Sequence, residues 1–270
     1  MITFSIVTIT YNAAAVLRPT LDSVLAQTYQ HIEHIIIDGA SSDDTLHIAE
    51  DYRERSAEES ASHEIVIVSE PDHGIYDAMN KGLQRATGDY IVFLNAGDAL
   101  PSSATLETIV DSTALKEMTT LPAVLYGDTD IIDADGNVIG PRHLSPPDHL
   151  TWRSFLHGML VCHQAFYARI DIAHDTAYDL RYRHSADVDW CIRIMREAER
   201  RDLPLVRIPA VIANYLQEGN TTRNHRASLR ERFSVMRRHY GLLPTLSMHC
   251  WFVVRAIFRK AKGVFSKNEK

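Results

Sequence analysis

The first hundred residues alternate between two hydrophobic periods, and that alternation restricts the fold more than any other feature. "ITFSIVTIT", "HIEHIIID", "EIVIVSE" and "YIVFLN" are β-branched or aromatic runs of strand type. Between them lie segments of helical period. The first carries Val16, Leu17, Leu21, Val24 and Leu25 on one face, the second runs from Thr45 to Arg53, and the third covers 75–86. Strand and helix in strict turn imply right-handed βαβ units and a mostly parallel sheet, an α/β fold.

In such a sheet a ligand sits beyond the carboxyl ends of the strands. Those ends carry Thr10 and Asn12, Asp38, Glu70 and Asp72, and Asn95 and Asp98. A rim of amides and carboxylates is therefore expected to receive a polar ligand. Each motif also has a plain structural reading. In "DGASSDD" Ser42 or Asp43 can cap the next helix, but Asp38, placed where a hydrophobic strand ends, can also accept hydrogen bonds from a ligand. In "SEPDHGIYDAMNKG" Asp72 lies in a turn between Pro71 and Gly74. The helix that follows puts Ile75, Met79, Leu83 and Ala86 on one face. Asp77, Asn80, Lys81 and Gln84 lie opposite, where solvent accounts for Asp77 and Gln84. Lys81 suits either solvent or a phosphate. Gly82 borders the apolar face and allows close approach to the sheet. "FLNAGDAL" is a turn after a strand, and its single carboxylate, Asp98, suits a hard cation that shares its shell with a diphosphate.

The second half is less regular. "AVLYGDTDIIDADGNVIG" predicts a hairpin turning at "ADGN". Helices are expected at 187–200 and 224–239, with a strand at 205–212 between them. No linker composition interrupts residues 1 to about 240, which read as one domain.

Charge and cysteine content narrow the function. The net charge of -7 argues against a general nucleic-acid binder. Yet residues 241–270 hold six basic residues and one acid, leaving the remainder at -12. In that tail Trp251, Phe252, Val254, Ile257, Phe258 and Phe265 interleave with Arg255, Arg259, Lys260 and Lys262. Two uses fit: an interfacial helix on an anionic membrane, or a helix packed on the domain or a partner subunit. The three cysteines form no CxxC pair, which suggests neither a zinc knuckle nor a disulfide framework and fits a reducing compartment. No signal-peptide pattern opens the chain, and no apolar run reaches spanning length. The expected location is cytoplasmic, with the tail at the inner face of the cell membrane.

Taken together and in order, "SIVTITYN", "IIIDGASSDDT", "EPDHGIYDAMNKG" and "GDYIVFLNAGD" resemble the inverting glycosyltransferases of family 2, including members that build bacterial surface polysaccharides such as colanic acid. The match is close over about residues 3–100 and looser to about 225. The resemblance implies a GT-A fold: a Rossmann-like, mostly parallel sheet with flanking helices, a small mixed acceptor-side region and a C-terminal helix. It implies a donor half at 1–120, an acceptor half at 121–240 and the tail at 241–270. It implies a nucleoside-diphosphate sugar, most commonly of uridine, as donor and a glycan or lipid-linked sugar as acceptor. Thr10, Asn12 and Asp38 would hold base and ribose. Asp72, Asn80, Lys81 and Asn95 would lie along the nucleotide, and Asp98 would hold Mg²⁺ or Mn²⁺. Asn95 and Gly97 stand where the family commonly has aspartates. The catalytic base aligns with Asp187 in "HSADVDWCIR", and Asp189 competes for that role. Both acids also suit the first turn of a helix. His163 and Gln164 would line the acceptor side, and "QEGNTTRNH", with Arg223 and His225, would close over the donor.

Two other functions share these features. A nucleotidyltransferase making nucleotide sugars has a similar sheet, but "TYNAAAVLRPT" lacks its glycine-rich phosphate loop. A non-catalytic nucleotide-sugar sensor would not need acids at both Asp98 and Asp187.

Overall fold

The computed structural model describes residues 1–58, 63–217, 225–252 and 254. Four parallel strands form one half of an eight-stranded sheet: β1 (Phe4–Thr10), β2 (Ile32–Asp38), β3 (Glu64–Ser69) and β4 (Tyr90–Phe93). Their order is β3-β2-β1-β4, continued by β7 (Phe166–Arg169), β5 (Val124–Ile132) and β6 (Val138–Pro141). The twelve-residue β8 (Leu205–Leu216) also pairs with β5, in parallel. The β4–β7, β7–β5 and β5–β6 pairs are antiparallel. The parallel half thus continues into the expected mixed region without a break in the sheet.

Every residue of β1, β2 and β4 is buried, which explains their continuous apolar runs. Helices cover both faces. On one, Leu17, Leu21 and Leu25 of α1 (Ala14–Leu25) and Ala49 and Tyr52 of α2 (Thr45–Glu58) pack with Ile36. On the other, Met79 and Leu83 of α3 (Ile75–Arg85) join Ile35 and Ile37 in the main core. Gly82 performs its expected task. A Cβ there would stand 2.3 Å from Val7 Cγ1, so only glycine lets α3 lie this close to β1.

The chain then runs through α4 (Thr105–Ser112), α5 (Ile170–His174), α6 (Ala186–Arg200) and α7 (His225–Tyr240). A further helix covers 242–252. The hairpin turn forms as read: Asp133 Oδ1 accepts the N–H groups of Asp135 and Asn137. Two details differ from the sequence reading. β7 went unread because four residues, the first three of them buried, are too few to show an alternation. In α3, Ile75 is exposed and Tyr76 buried, since the ring of Tyr76 stacks on Tyr178 with centroids 5.5 Å apart. Residues 218–224, the His225 side chain and the tail from 255 lie outside the described residues. The expected closing loop with Arg223 and the basic cluster are therefore not placed.

Candidate active site at the carboxyl rim of the sheet

Strand register assembles the first part of the rim. Thr10 pairs with Asp38, and Asp38 with Ser69. In-register parallel strands point such neighbours to one side, so Thr10 and Ser69 both donate to the Asp38 carboxylate, at 3.1 and 2.6 Å. The Ser41 hydroxyl and backbone N–H complete its shell. Burial alone would raise the Asp38 carboxyl, but the hydrogen bonds from Ser41, Ser69 and Thr10 outweigh it and hold the group below the usual carboxylate range. Asn12, in the left-handed region at φ 47°, accepts the Ser42 N–H at 2.9 Å and so pins the same loop.

Asp72 approaches this cluster from the next loop. Its Oδ1 accepts the Gly74 N–H at 2.8 Å, while Oδ2 lies where a side chain at Gly39 would stand, 2.4 Å from that notional Cβ. Tyr11 borders the same spot and is 67% exposed. Sequence reasoning passed over Tyr11. The available signal was a large aromatic at the tip of a buried strand, where packing does not require one.

Asn80 and Lys81 are committed to the scaffold. Asn80 donates to the Tyr178 carbonyl at 3.0 Å and accepts the Tyr178 N–H at 2.7 Å. Lys81 Nζ donates to the Pro71 carbonyl at 2.6 Å and pairs with Glu70 at 3.2 Å. Lys81 therefore shapes the loop that carries Asp72, while Asn80 ties α3 to the segment at Tyr178.

A second group gathers where β4 ends. Tyr76 donates to Asp187 Oδ1 at 3.0 Å. His163 Nδ1 stands 3.7 Å from Asp187 Oδ2, and His163 Nε2 is 3.1 Å from Asn95 Nδ2. Burial lowers the His163 pKa despite the opposing pull of Asp187, which favours the neutral ring. The Asp187 side chain keeps 17% exposure. Asp189, two residues on, has none. It is held by Arg193 at 2.6 Å and by His239 of α7 at 2.7 Å. The two candidate bases are thus separated: Asp187 opens to the rim, and Asp189 locks α6 to α7.

Asp98 lies behind this group and is almost fully buried. Gln164 Nε2 donates to its Oδ2 at 2.7 Å and the Leu216 N–H to its Oδ1 at 3.1 Å. Burial pushes its carboxyl up to about 7 despite these donors. Gly97, at φ +99°, packs against Leu216, and a Cβ there would stand 2.6 Å from Leu216 Cδ2. An aspartate at 97 would adopt a strained backbone and require the Leu216 side chain to move. Among the described residues no group of three His, Cys, Asp or Glu side chains could hold a metal. A single buried carboxylate, already paired twice, does not fit a protein-held Mg²⁺ or Mn²⁺.

The fold and its rim are thus a parallel-to-mixed α/β sheet with an acidic, amide-rich carboxyl edge and one open carboxylate at a helix start. The family model described as glycosyl transferase family 2 matches residues 5–173, and the chain belongs to that family. It is 36% identical over 191 residues to a PGL/p-HBAD biosynthesis glycosyltransferase of Mycobacterium bovis, covering 70% of this chain and 68% of the relative. It is 28% identical over 218 residues to the amylovoran biosynthesis glycosyltransferase AmsB of Erwinia amylovora, covering 79% and 69%. Among solved structures, S. aureus TarS 1–349 in complex with UDP-GlcNAc superposes with a TM-score of 0.66 at 18% identity, covering 87% of this chain. The chain spans 64% of that structure's length. The mannosyltransferase PcManGT from Pyrobaculum calidifontis, in complex with GDP-Man and Mn²⁺, superposes at 0.60 with 17% identity, covering 92% and 68%. These likenesses show the GT-A fold.

Proposed function

We propose that this chain transfers a hexosyl group from a nucleoside-diphosphate sugar to a hydroxyl of a glycan or lipid-linked sugar, with inversion, in polysaccharide biosynthesis. The observation that carries this reading is the setting of Asp187. It is the one carboxylate of the α6 start that opens to the rim, and Tyr76 orients it from across the site.

In this reading the nucleotide lies over the ends of β1 to β4. Tyr11 offers a face for the base, and Asp72 accepts hydrogen bonds from base or ribose. Thr10, Asn12 and Asp38 fix the loop beneath it, Lys81 fixes the loop of Asp72, Asn80 ties α3 to the Tyr178 backbone, and Asn95 borders the sugar. Asp187 takes the acceptor's hydroxyl proton as the new bond forms at the anomeric carbon. The nucleoside diphosphate leaves from the opposite face with the bonding electron pair.

The relatives named for glycolipid and amylovoran biosynthesis support the acceptor class, and the neighbours with UDP-GlcNAc and GDP-Man support the donor class. Membrane association belongs to the same reading. No helix of the described residues is long and apolar enough to cross a membrane. The helix at 242–252 leaves Leu243 and Trp251 77% and 54% exposed just before the basic run.

Incubation with labelled UDP- and GDP-sugars and a membrane fraction tests the proposal. Transfer, or slow donor hydrolysis, is expected, and Asp187→Asn should abolish both while donor affinity stays within about twofold. Full turnover by that variant would remove Asp187 from the chemistry. Pyrophosphate exchange would instead mark a nucleotidyltransferase.

A further inference from the structure

Three side chains from distant parts of the chain lie in a row. Asn95 follows β4, His163 opens a short 3₁₀ turn at His163–Ala165, and Asp187 sits in the first turn of α6. The His163 side chain is 13% exposed, and Arg142 and Asp187 are the charged groups that act on it. A neutral imidazole carries one N–H, on either Nδ1 or Nε2. Nδ1 faces the Asp187 carboxylate at 3.7 Å, and an ionised carboxylate only accepts. A bare Nδ1 there would set lone pair against lone pair, so the proton belongs on Nδ1.

Nε2 must then accept, and its neighbour at 3.1 Å is Asn95. The amide must turn its NH₂ toward the ring. That orientation leaves Asn95 Oδ1 buried without a partner, which is what the structure shows. The opposite orientation would force the proton onto Nε2 and break the arrangement at Asp187. The amide at 95 thus has a function that a carboxylate could not serve. An aspartate only accepts, so it would draw a proton onto Nε2.

We propose that Asn95 and His163 are positioning residues for Asp187, with the Asn95 amide fixing His163 as its Nδ1–H tautomer so that this N–H steadies Asp187 Oδ2. Tyr76 hydrogen-bonds the other oxygen at 3.0 Å, the Nδ1–H faces Oδ2 at 3.7 Å as an electrostatic contact rather than a hydrogen bond, and the remaining lone pairs face the acceptor hydroxyl. Apart from that last clause, the inference is independent of which sugar is moved. It rests on the proposed function only for the claim that Asp187 is a base.

The test is tautomer assignment by long-range ¹H–¹⁵N correlation of the full-length protein labelled at histidine, without substrate. His163 is identified by the signal lost in His163→Gln. The expected wild-type result is a neutral ring protonated on Nδ1 at pH 7.5. An Nε2–H ring, or a doubly protonated one, overturns the proposal. In Asn95→Asp the same ring should move to the Nε2–H or the doubly protonated form, and kcat should fall at least tenfold with the melting temperature held. An unchanged tautomer in that variant also overturns the proposal, and should the variant not fold, the wild-type spectrum alone decides. The spectra need no turnover, so a failure of the transferase reading would appear in the Asp187→Asn assay and not here.

Discussion

Gly82→Ala measures how far the fold depends on the contact between α3 and β1. The new methyl carbon would stand 2.3 Å from Val7 Cγ1 and 3.5 Å from Ile37 Cγ1. Favourable carbon contacts lie at about 3.5–4.0 Å. The Val7 contact is therefore more than an ångström too short, on a residue with no exposure in a central strand. Overpacking of this kind costs about 1–3 kcal/mol, and the depth of the clash places it near ~3 kcal/mol. Alanine's better helix propensity returns about 1 kcal/mol. The net expectation is a loss of ~2 kcal/mol, read as a lower urea midpoint with an unchanged slope. Val7→Ala alone should cost ~2 kcal/mol for a buried truncation. Combined, the two should cost less than their sum by at least about 1 kcal/mol, because the valine methyl group removed is the one that clashes. A midpoint equal to or above wild type, or strict additivity in the double variant, would refute the argument. The variant should also lose turnover, since α3 carries the Tyr76 that orients Asp187.

Three further outcomes are expected. His34 is buried and neutral between Thr8 and Tyr52, at 2.9 and 2.8 Å, and burial lowers its pKa to about 3. Its folded pKa is depressed below the unfolded value of about 6.5. Its contribution is therefore complete above that pH and is lost as pH falls, by about 1.4 kcal/mol per unit toward 3. Urea midpoints from pH 7 to 5 should fall more steeply in wild type than in His34→Gln; equal slopes would refute this. Asp98→Ala removes the acceptor of Gln164 and of the Leu216 N–H. Stability should drop by about 2–4 kcal/mol for two unpaired buried donors; an unchanged midpoint with loss of Mn²⁺-dependent donor binding would place Asp98 on the metal instead. Removing residues 253–270 deletes six basic residues. Each contributes about 1 kcal/mol near an anionic surface, so sedimentation with phosphatidylglycerol vesicles should fall more than tenfold; equal sedimentation would exclude the membrane role of the tail.

The parallel half was legible because its signals are local. Period-2 and period-3.6 runs mark β1 to β4 and their helices, and Gly82 announced its close packing from its place on a helical face. What the sequence withheld depends on partners far away in the chain. Asn80 read as a nucleotide contact, yet its partner is the backbone of Tyr178, 98 residues on. Asp187 and Asp189 are alike by propensity, and both suit a helix start. Only the packing of α7, which brings His239 onto Asp189, tells them apart. Tyr76 carried no signal at all, because its value lies in reaching a carboxylate 111 residues away. The departure at Gly97 was visible as a missing acid, but the left-handed backbone there and the Leu216 side chain that β8 packs against it were not.

These assignments divide the rim into two layers with different physics. Asp38, Asn12, Asn80, Lys81 and Asp98 have their polar atoms engaged by the protein itself. A buried polar group so engaged costs little, but it costs much when one partner is removed. These side chains therefore act as ties between loops, and they hold still the backbone on which a ligand would rest. Tyr11, Asp72 Oδ2, Asn95 Oδ1 and Asp187 are the groups left facing outward or unpaired. The division follows from the sheet. Parallel strands bring many polar residues to one edge, where buried polar groups are hydrogen-bonded and here largely satisfy one another. The polarity of the rim as a whole therefore overstates the size of the binding site. Under the proposed function, the reactive part is the small remainder that the ties hold open, centred on Asp187.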